Sequence, residues 1–332
     1  SAADLVLPLT VAFASAALVA GGIRLLLLWV STRLVSATGA DLSIEVYRRT
    51  LYQPYRIHVA RNSSTVISGI VNKVGCAQAV LQAVMTLISS VVLIASIMLA
   101  LLIIDAMVAI VAAIVFGASY GLITWLSRRR LQHNSQRTAA ESTQIIKALQ
   151  EGLGGIRDVL LDGTQPLYCD IYRQSQLPLM RMQGSNQFIA ASPRYAMEAL
   201  GMVLIAVLAY TLSRQVEGVA SALPVLGALA LGAQRLLPAL QQGYGAWAGI
   251  VVNRASLADA LELLDQPLPE NIHQPAPAPL PFQDAIYFDA VRFRYSNDGP
   301  WVLDGLSLTI PKGARIGFVG STGSGKSTTL DL

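Results

Sequence analysis

Long apolar runs, set in a chain with little charge, limit this sequence more than anything else in it. Residues 5–30, 84–104, 106–126, 196–212 and 219–240 each approach or exceed the length that crosses a bilayer as helix. Hydrophobic residues make up 53% of the 332 positions and charged residues only 13%, against roughly a quarter in an ordinary soluble domain. Backbone amides in hydrocarbon must be satisfied within their own segment, so runs of this kind become helices.

The polar stretches between the runs keep helical spacing. Residues 34–51 continue the first span into water, a break falls at Gln53-Pro54-Tyr55, and residues 66–104 form the second long helix. Asp105 marks a tight turn, and the third helix runs from 106 past Arg128-Arg129-Arg130 to about 150. EGLGGIRD (151–158) predicts a short helix and turn, and residues 165–193 return as polar helix into the fourth span. A short loop at 213–217 precedes the fifth, where Pro224 and Pro238 predict bending. Helix then continues to about 265. Residues 266–281 carry six prolines and read as an extended linker.

Charge fixes the expected orientation. Arg33, Arg48, Arg49, Arg56, Arg61 and Lys73 lie in one polar segment, and eight Lys/Arg lie between 128 and 181. The turns at Asp105 and near Ser213 carry almost none, so the long polar segments are expected in the cytoplasm. The net charge of +4 is not gathered into a nucleic-acid-binding face. Cys76 and Cys169 match no metal spacing and read as unpaired thiols; His58, His133 and His273 are isolated.

After the linker the period changes. Val291, Phe293 and Tyr295 alternate with Arg292 and Arg294 as a half-buried strand; Asn297-Asp298-Gly299-Pro300 is a turn, and residues 306–310 are a second strand. Residues 314–319 are expected as a buried strand feeding GSTGSGKST (320–328), with a helix starting near Ser327. Gly320, Gly325, Lys326 and Ser327 satisfy G-x-x-x-x-G-K-[ST]. Glycines let backbone N–H groups close around a polyphosphate; Lys326 reaches its outer phosphates and the Ser327 hydroxyl ligates Mg2+.

Long helices that leave the membrane and continue in water, a linker, then V-R-F-R-Y and G-S-T-G-S-G-K-S-T together resemble an ABC transporter of the exporter type. The resemblance covers nearly the whole chain. It implies an α-helical transmembrane domain (1–265) holding helices two to six of a six-helix set, the linker (266–281), and the N-terminal part of an α/β P-loop nucleotide-binding domain (282–332). ATP and Mg2+ are the implied cofactors. The site would be Tyr295 stacking on adenine, with Gly320, Ser321, Thr322, Gly323, Ser324, Gly325, Lys326, Ser327 and Thr328 around the phosphates and Ser327 on Mg2+. The segments at 55–62 and 154–158 match the family's coupling helices. The Q-loop, LSGGQ signature, catalytic Glu and switch His are not in these residues, so both ends read as cut and no catalytic residue is present. The resemblance further implies an integral, multi-pass membrane protein of the inner or plasma membrane with its nucleotide-binding domain in the cytoplasm. The implied partner is a second half-transporter, in the simplest case an identical copy.

LYQPYRIHVARNSSTVISGI, SPRYAMEALG and GALALGAQRLLPALQQGY resemble subunits that flip lipid-linked oligosaccharides. Arg24 and Arg235 lie inside or at the edge of apolar spans, where a cation is costly and tends to face a cavity. They are candidates for the pyrophosphate of a lipid-linked sugar, or else they snorkel or pair with backbone carbonyls. Glu198 is open to substrate or proton coupling, with a paired structural carboxylate the expected reading, and Asn62-Ser63-Ser64 reads as a turn or helix cap. Other readings stay open: a multidrug, lipid or peptide exporter, an ATP-gated channel or regulatory subunit without cargo, or a membrane-tethered P-loop kinase.

Overall fold

The computed structural model describes residues 2–104, 106–213, 218–268, 279, 281–295 and 299–332. The expected turn at Asp105, the loop at 214–217, most of the linker and part of the turn at 296–298 lie outside these. Contacts divide the chain into two units. The first joins Ser1–Leu51 with Ser63–Gln266, and the second joins Tyr52–Asn62 with Pro267–Leu332.

The first unit is helical. Its long helices are α1 (Ala2–Leu51), α4 (Val74–Ile104), α5 (Ala106–Gly154), α7 (Gln165–Ser213) and α8 (Gly218–Leu264). Short α3 (Ser63–Ser68) runs into α4 through a π-helical segment, Gly69–Lys73, and α6 (Ile156–Leu161) follows α5. The short helix expected near 151–158 is α6, and α7 begins at Gln165, where the polar segment was expected to return. By length and composition, three helical stretches are able to cross a membrane among the described residues: Val6–Leu51, Ser63–Ile103 and Ala109–Gly154. The fourth and fifth expected spans lie on α7 and α8, whose side chains at 211–213 and 218–233 are outside the described set.

Small residues set how closely the helices approach. Gly39 of α1 lies against the Gln78 side chain, and Gly69 lies against Leu263 of α8, with no room for a Cβ at either place. Gly201 of α7 sits where a Cβ would be 3.4 Å from Leu237. One core gathers Phe116 and Tyr120 of α5, Met197 of α7, and Leu236 and Tyr244 of α8. A second, toward the polar ends, packs Val46, Val74 and Leu263. Polar side chains buried between helices find each other: Asn134 donates to Asn186 Oδ1 at 2.7 Å, and the Tyr244 hydroxyl reaches Ser127 at 3.3 Å.

Two contacts tie α8 to its neighbours near its C-terminus. The last carbonyls of a helix have no partner within it. Arg49 of α1 supplies one, donating to the carbonyls of Leu264 (2.5 Å) and Gln266 (3.1 Å) while also binding Glu45 (2.7 Å). Lys73, the last residue of the π-helical segment, donates to Asp259 at 2.6 Å.

The second unit holds α2 (Tyr55–Ala60), β1 (Ala285–Phe293), β2 (Leu303–Pro311) and α9 (Lys326–Asp331). Gln53 donates to the Pro267 carbonyl at 3.0 Å. The strands pair antiparallel, from Ala285 opposite Pro311 to Phe293 opposite Leu303. An irregularity between Phe288 and Val291 places Ala290 at φ 45°, its N–H bonded to the Ser307 hydroxyl. Residues 314–319 do not form the expected buried strand. A strand exists through its ladder, and among the described residues no third strand offers one; Val319 is 97% exposed. Among the described residues, 282–332 thus form a hairpin, the glycine-rich loop and one helical turn and a half.

The Lys73–Asp259 pair is asymmetric: the Lys73 side chain is 9% exposed and that of Asp259 41%. Asp259→Ala strands a buried ammonium, and is expected to cost about 1–3 kcal/mol, whereas Lys73→Met leaves a carboxylate that water reaches and costs less. Thermal unfolding of both variants in detergent checks the order.

Candidate functional site

The glycine-rich loop between residue 319 and α9 is built by backbone conformations that favour glycine. Gly323 and Gly325 have φ 86° and 85°, in the left-handed region. A Cβ on Gly325 would also meet Leu303 Cδ2 at 2.8 Å and the Val302 carbonyl at 3.1 Å. A Cβ on Gly320 would meet Ser324 Oγ at 2.7 Å. The Ser324 N–H turns back to the Ser321 carbonyl at 3.2 Å.

Lys326 closes this loop. Its ammonium donates to the carbonyls of Gly320 and Ser321, both at 2.7 Å, and approaches Ser324 Oγ at 3.4 Å. The charge is therefore held at the loop's centre. Ser321, Thr322, Gly323, Ser324 and Ser327 are exposed, while Thr328 and Thr329 are buried. The Thr329 hydroxyl donates to the Gly325 carbonyl at 2.9 Å and locks the first turn of α9.

Tyr295, just past β1, is brought to the same place. Its hydroxyl lies 3.0 Å from the Thr328 hydroxyl, and its ring meets Phe293 edge to face at 5.0 Å between centroids. Tyr295 as a residue is 36% exposed, so part of it stays accessible. The motif pointed to Tyr295 and Thr328 separately; their mutual bond, and the supporting Phe293, were not readable from it. Arg294 stacks over Trp301 at 4.7 Å, flanking the same hairpin.

These residues fit a nucleoside triphosphate. The loop has room where side chains would fill it, a fixed cation, an exposed hydroxyl at Ser327 and an aromatic anchored beside it. Mg2+ would find the Ser327 hydroxyl; among the described residues no cluster of His, Cys, Asp or Glu stands ready as a metal site.

The two candidate substrate arginines are not brought into one cavity. Arg24 lines a cavity of about 460 Å3 between α1, α4 and α8, together with Ser31, Gln82, Thr86 and Ser89. Arg235 is exposed on α8 and does not line that cavity. Glu198 is not the expected structural pair: it makes no ion pair among the described residues and lines a larger cavity with Arg194 and several glutamines. The cysteines are free, as their spacing predicts, and α3 begins at Ser63, next to the proposed cap.

A bundle of long helices, with three helical stretches among the described residues able to cross a membrane, followed in sequence by a G-x-x-x-x-G-K-[ST] loop, resembles a membrane protein of the ABC exporter type. Comparison with known proteins agrees. The chain is 26% identical over 223 residues to an ATP-dependent lipid A-core flippase of Alkalilimnicola ehrlichii, covering 66% of this chain and 37% of that protein. It is 54% identical over 50 residues to the alpha-hemolysin translocation ATP-binding protein HlyB of Escherichia coli O157:H7, covering 15% of this chain and 7% of that protein. The fold matches a bacterial Atm1-family ABC exporter solved with ATP bound, at TM-score 0.66 and 19% identity, over 90% of this chain and 52% of that one. No family model matches. The chain spans well under two thirds of the length of each. It resembles the ABC exporters, lipid flippases among them.

Gly325→Ala is expected to weaken binding of a fluorescent ATP analogue by about tenfold or more, since it meets both backbone strain and Leu303. Gly317→Ala, at a glycine with open space around it, is expected to leave binding unchanged.

Proposed function

We propose that this chain is the membrane region (1–265), linker (266–281) and first part of the nucleotide-binding domain (282–332) of an ATP-driven exporter half-subunit. The substrate we propose is amphipathic, a lipid-linked oligosaccharide in the first instance. The observation that carries the reading is the convergence of Lys326, held by its own loop carbonyls, with Tyr295 anchored on Thr328.

In this reading Lys326 and the N–H groups of the loop hold the phosphates, Tyr295 stacks on the adenine, and Ser327 presents its hydroxyl to Mg2+. ATP, when bound, supplies the free-energy bias between two arrangements of the membrane helices. The α2 and α6 segments take the coupling role that the family resemblance gives them. Arg49 and Lys73 join α8 to α1 and to the start of α4. A displacement of α8 therefore reaches the other helices through fixed polar contacts. The working assembly is a pair of half-subunits, with the nucleotide-binding domains in the cytoplasm. The hydroxyl-lined cavity with Arg24 supports a substrate carrying an anionic linkage.

The test is ATP-dependent movement of a fluorescent polyprenyl-diphosphate disaccharide in proteoliposomes containing the full-length protein. Wild type is expected to move it. Lys326→Ala is expected to lose nucleotide binding by about two orders of magnitude and to lose transport with it. Nucleotide binding with ion conductance and no lipid movement would establish a channel instead.

A further inference from the structure

Two threonines follow one another in the first turn of α9, and their hydroxyls serve different partners. Both residues are buried, Thr328 at 6% exposure and Thr329 at 7%. The Thr329 hydroxyl donates to the Gly325 carbonyl four residues back, at 2.9 Å. That is a common arrangement for a hydroxyl inside a helix. Among the described residues the Thr328 hydroxyl makes no bond of that kind. It lies 3.0 Å from the Tyr295 hydroxyl, on a segment 33 residues away.

Tyr295 depends on such a partner. The last bond of the hairpin before it runs from the Val302 N–H to the Phe293 carbonyl, at 2.9 Å. Tyr295 stands past that point, beyond the end of β1. Its described polar and ring contacts are made by its side chain. Phe293 meets the ring edge to face, 5.0 Å between centroids at 86°, and Thr328 meets the hydroxyl. A single edge contact leaves the ring free to change rotamer, whereas a bond at its far tip selects one orientation. The tip finds that bond on the helix that follows the phosphate loop.

Burial separates Thr328 from the phosphate-facing residues. Successive residues of a helix are turned by about 100°, so the Ser327 and Thr328 side chains leave α9 in different directions. Ser327 is exposed, as are Ser321, Thr322 and Ser324 of the loop, while Thr328 is turned inward. The family resemblance puts Thr328 among the groups around the phosphates. Its hydroxyl, buried and already bonded, is placed to hold the aromatic.

We propose that Thr328 is a positioning residue for the base: its hydroxyl fixes the Tyr295 ring for stacking on adenine and does not hold phosphate. This rests on the nucleotide-binding reading above and deepens it. Base recognition then depends on the first turn of α9 as well as on the strand that carries the tyrosine.

The experiment is calorimetric titration of the full-length protein in lipid nanodiscs with Mg2+ and two probes. One is the non-hydrolysable ATP analogue AMPPNP; the other is inorganic tripolyphosphate, which has the phosphates and no base. Wild type is expected to bind AMPPNP the more tightly. Thr328→Val keeps the volume and deletes the hydroxyl. It is expected to weaken AMPPNP about three- to tenfold, the range of one neutral hydrogen bond, and to leave tripolyphosphate within about twofold of wild type. Tyr295→Phe keeps the ring and deletes the other hydroxyl, and is expected to show the same selective loss. The double variant is expected to lose no more than either single one, because all three lack the same bond. Thr328→Ser retains a hydroxyl and is expected to recover most of the affinity. Loss of both probes together in Thr328→Val, losses that multiply in the double variant, or wild-type AMPPNP affinity in Tyr295→Phe overturns the positioning role. Equal affinity of wild type for the two probes overturns it as well. Wild type binding neither probe overturns the nucleotide-binding reading itself, and this assignment with it.

Discussion

A peptide group in hydrocarbon has no solvent to turn to, and that shortage governs most of this chain. Each apolar run satisfies its own backbone as helix and leaves only side chains to arrange. Association between such helices then depends on close approach and on a few polar contacts, not on expulsion of water. Gly39, Gly69 and Gly201 supply the approach. Asn134 with Asn186, and Lys73 with Asp259, supply polar contacts at the packed polar ends, where helix extensions meet.

The same shortage operates at helix ends. The terminal carbonyls of α8 are met by Arg49, which comes from the far end of α1 in sequence. A local signal could not have shown this, because the partners are 215 residues apart. It also gives the end of α8 a definite position instead of a fraying terminus.

Much of the helical layout was legible from residues alone. Pro54, the glycines at 154–155 and the alternation before Tyr295 each act locally, through the backbone of their own segment. What the sequence did not show were relations between segments. The π-helical turn at Gly69–Lys73 changes helical phase without a distinctive composition. The strand expected at 314–319 needs a ladder partner that its own residues do not provide. The nucleotide loop was readable as a motif, but the Tyr295–Thr328 bond joins positions 33 residues apart and is visible only when folded. The two arginines stand out in the sequence as cations in apolar runs. Their separation, and the glutamine-lined cavity nearby, depend on how α1, α4, α5, α7 and α8 pack.

The lysine at the heart of the glycine loop already donates to two carbonyl oxygens of that loop and approaches the Ser324 hydroxyl. Entry of an anion is therefore an exchange of acceptors at one ammonium, not the capture of an idle charge. A neutral molecule gains nothing from the exchange, and a single weakly basic oxygen gains little. Several phosphate oxygens acting together are stronger acceptors than carbonyls. For the nucleotide-binding role proposed above, the loop would accordingly favour a ligand of high charge density over one offering a single weakly basic oxygen.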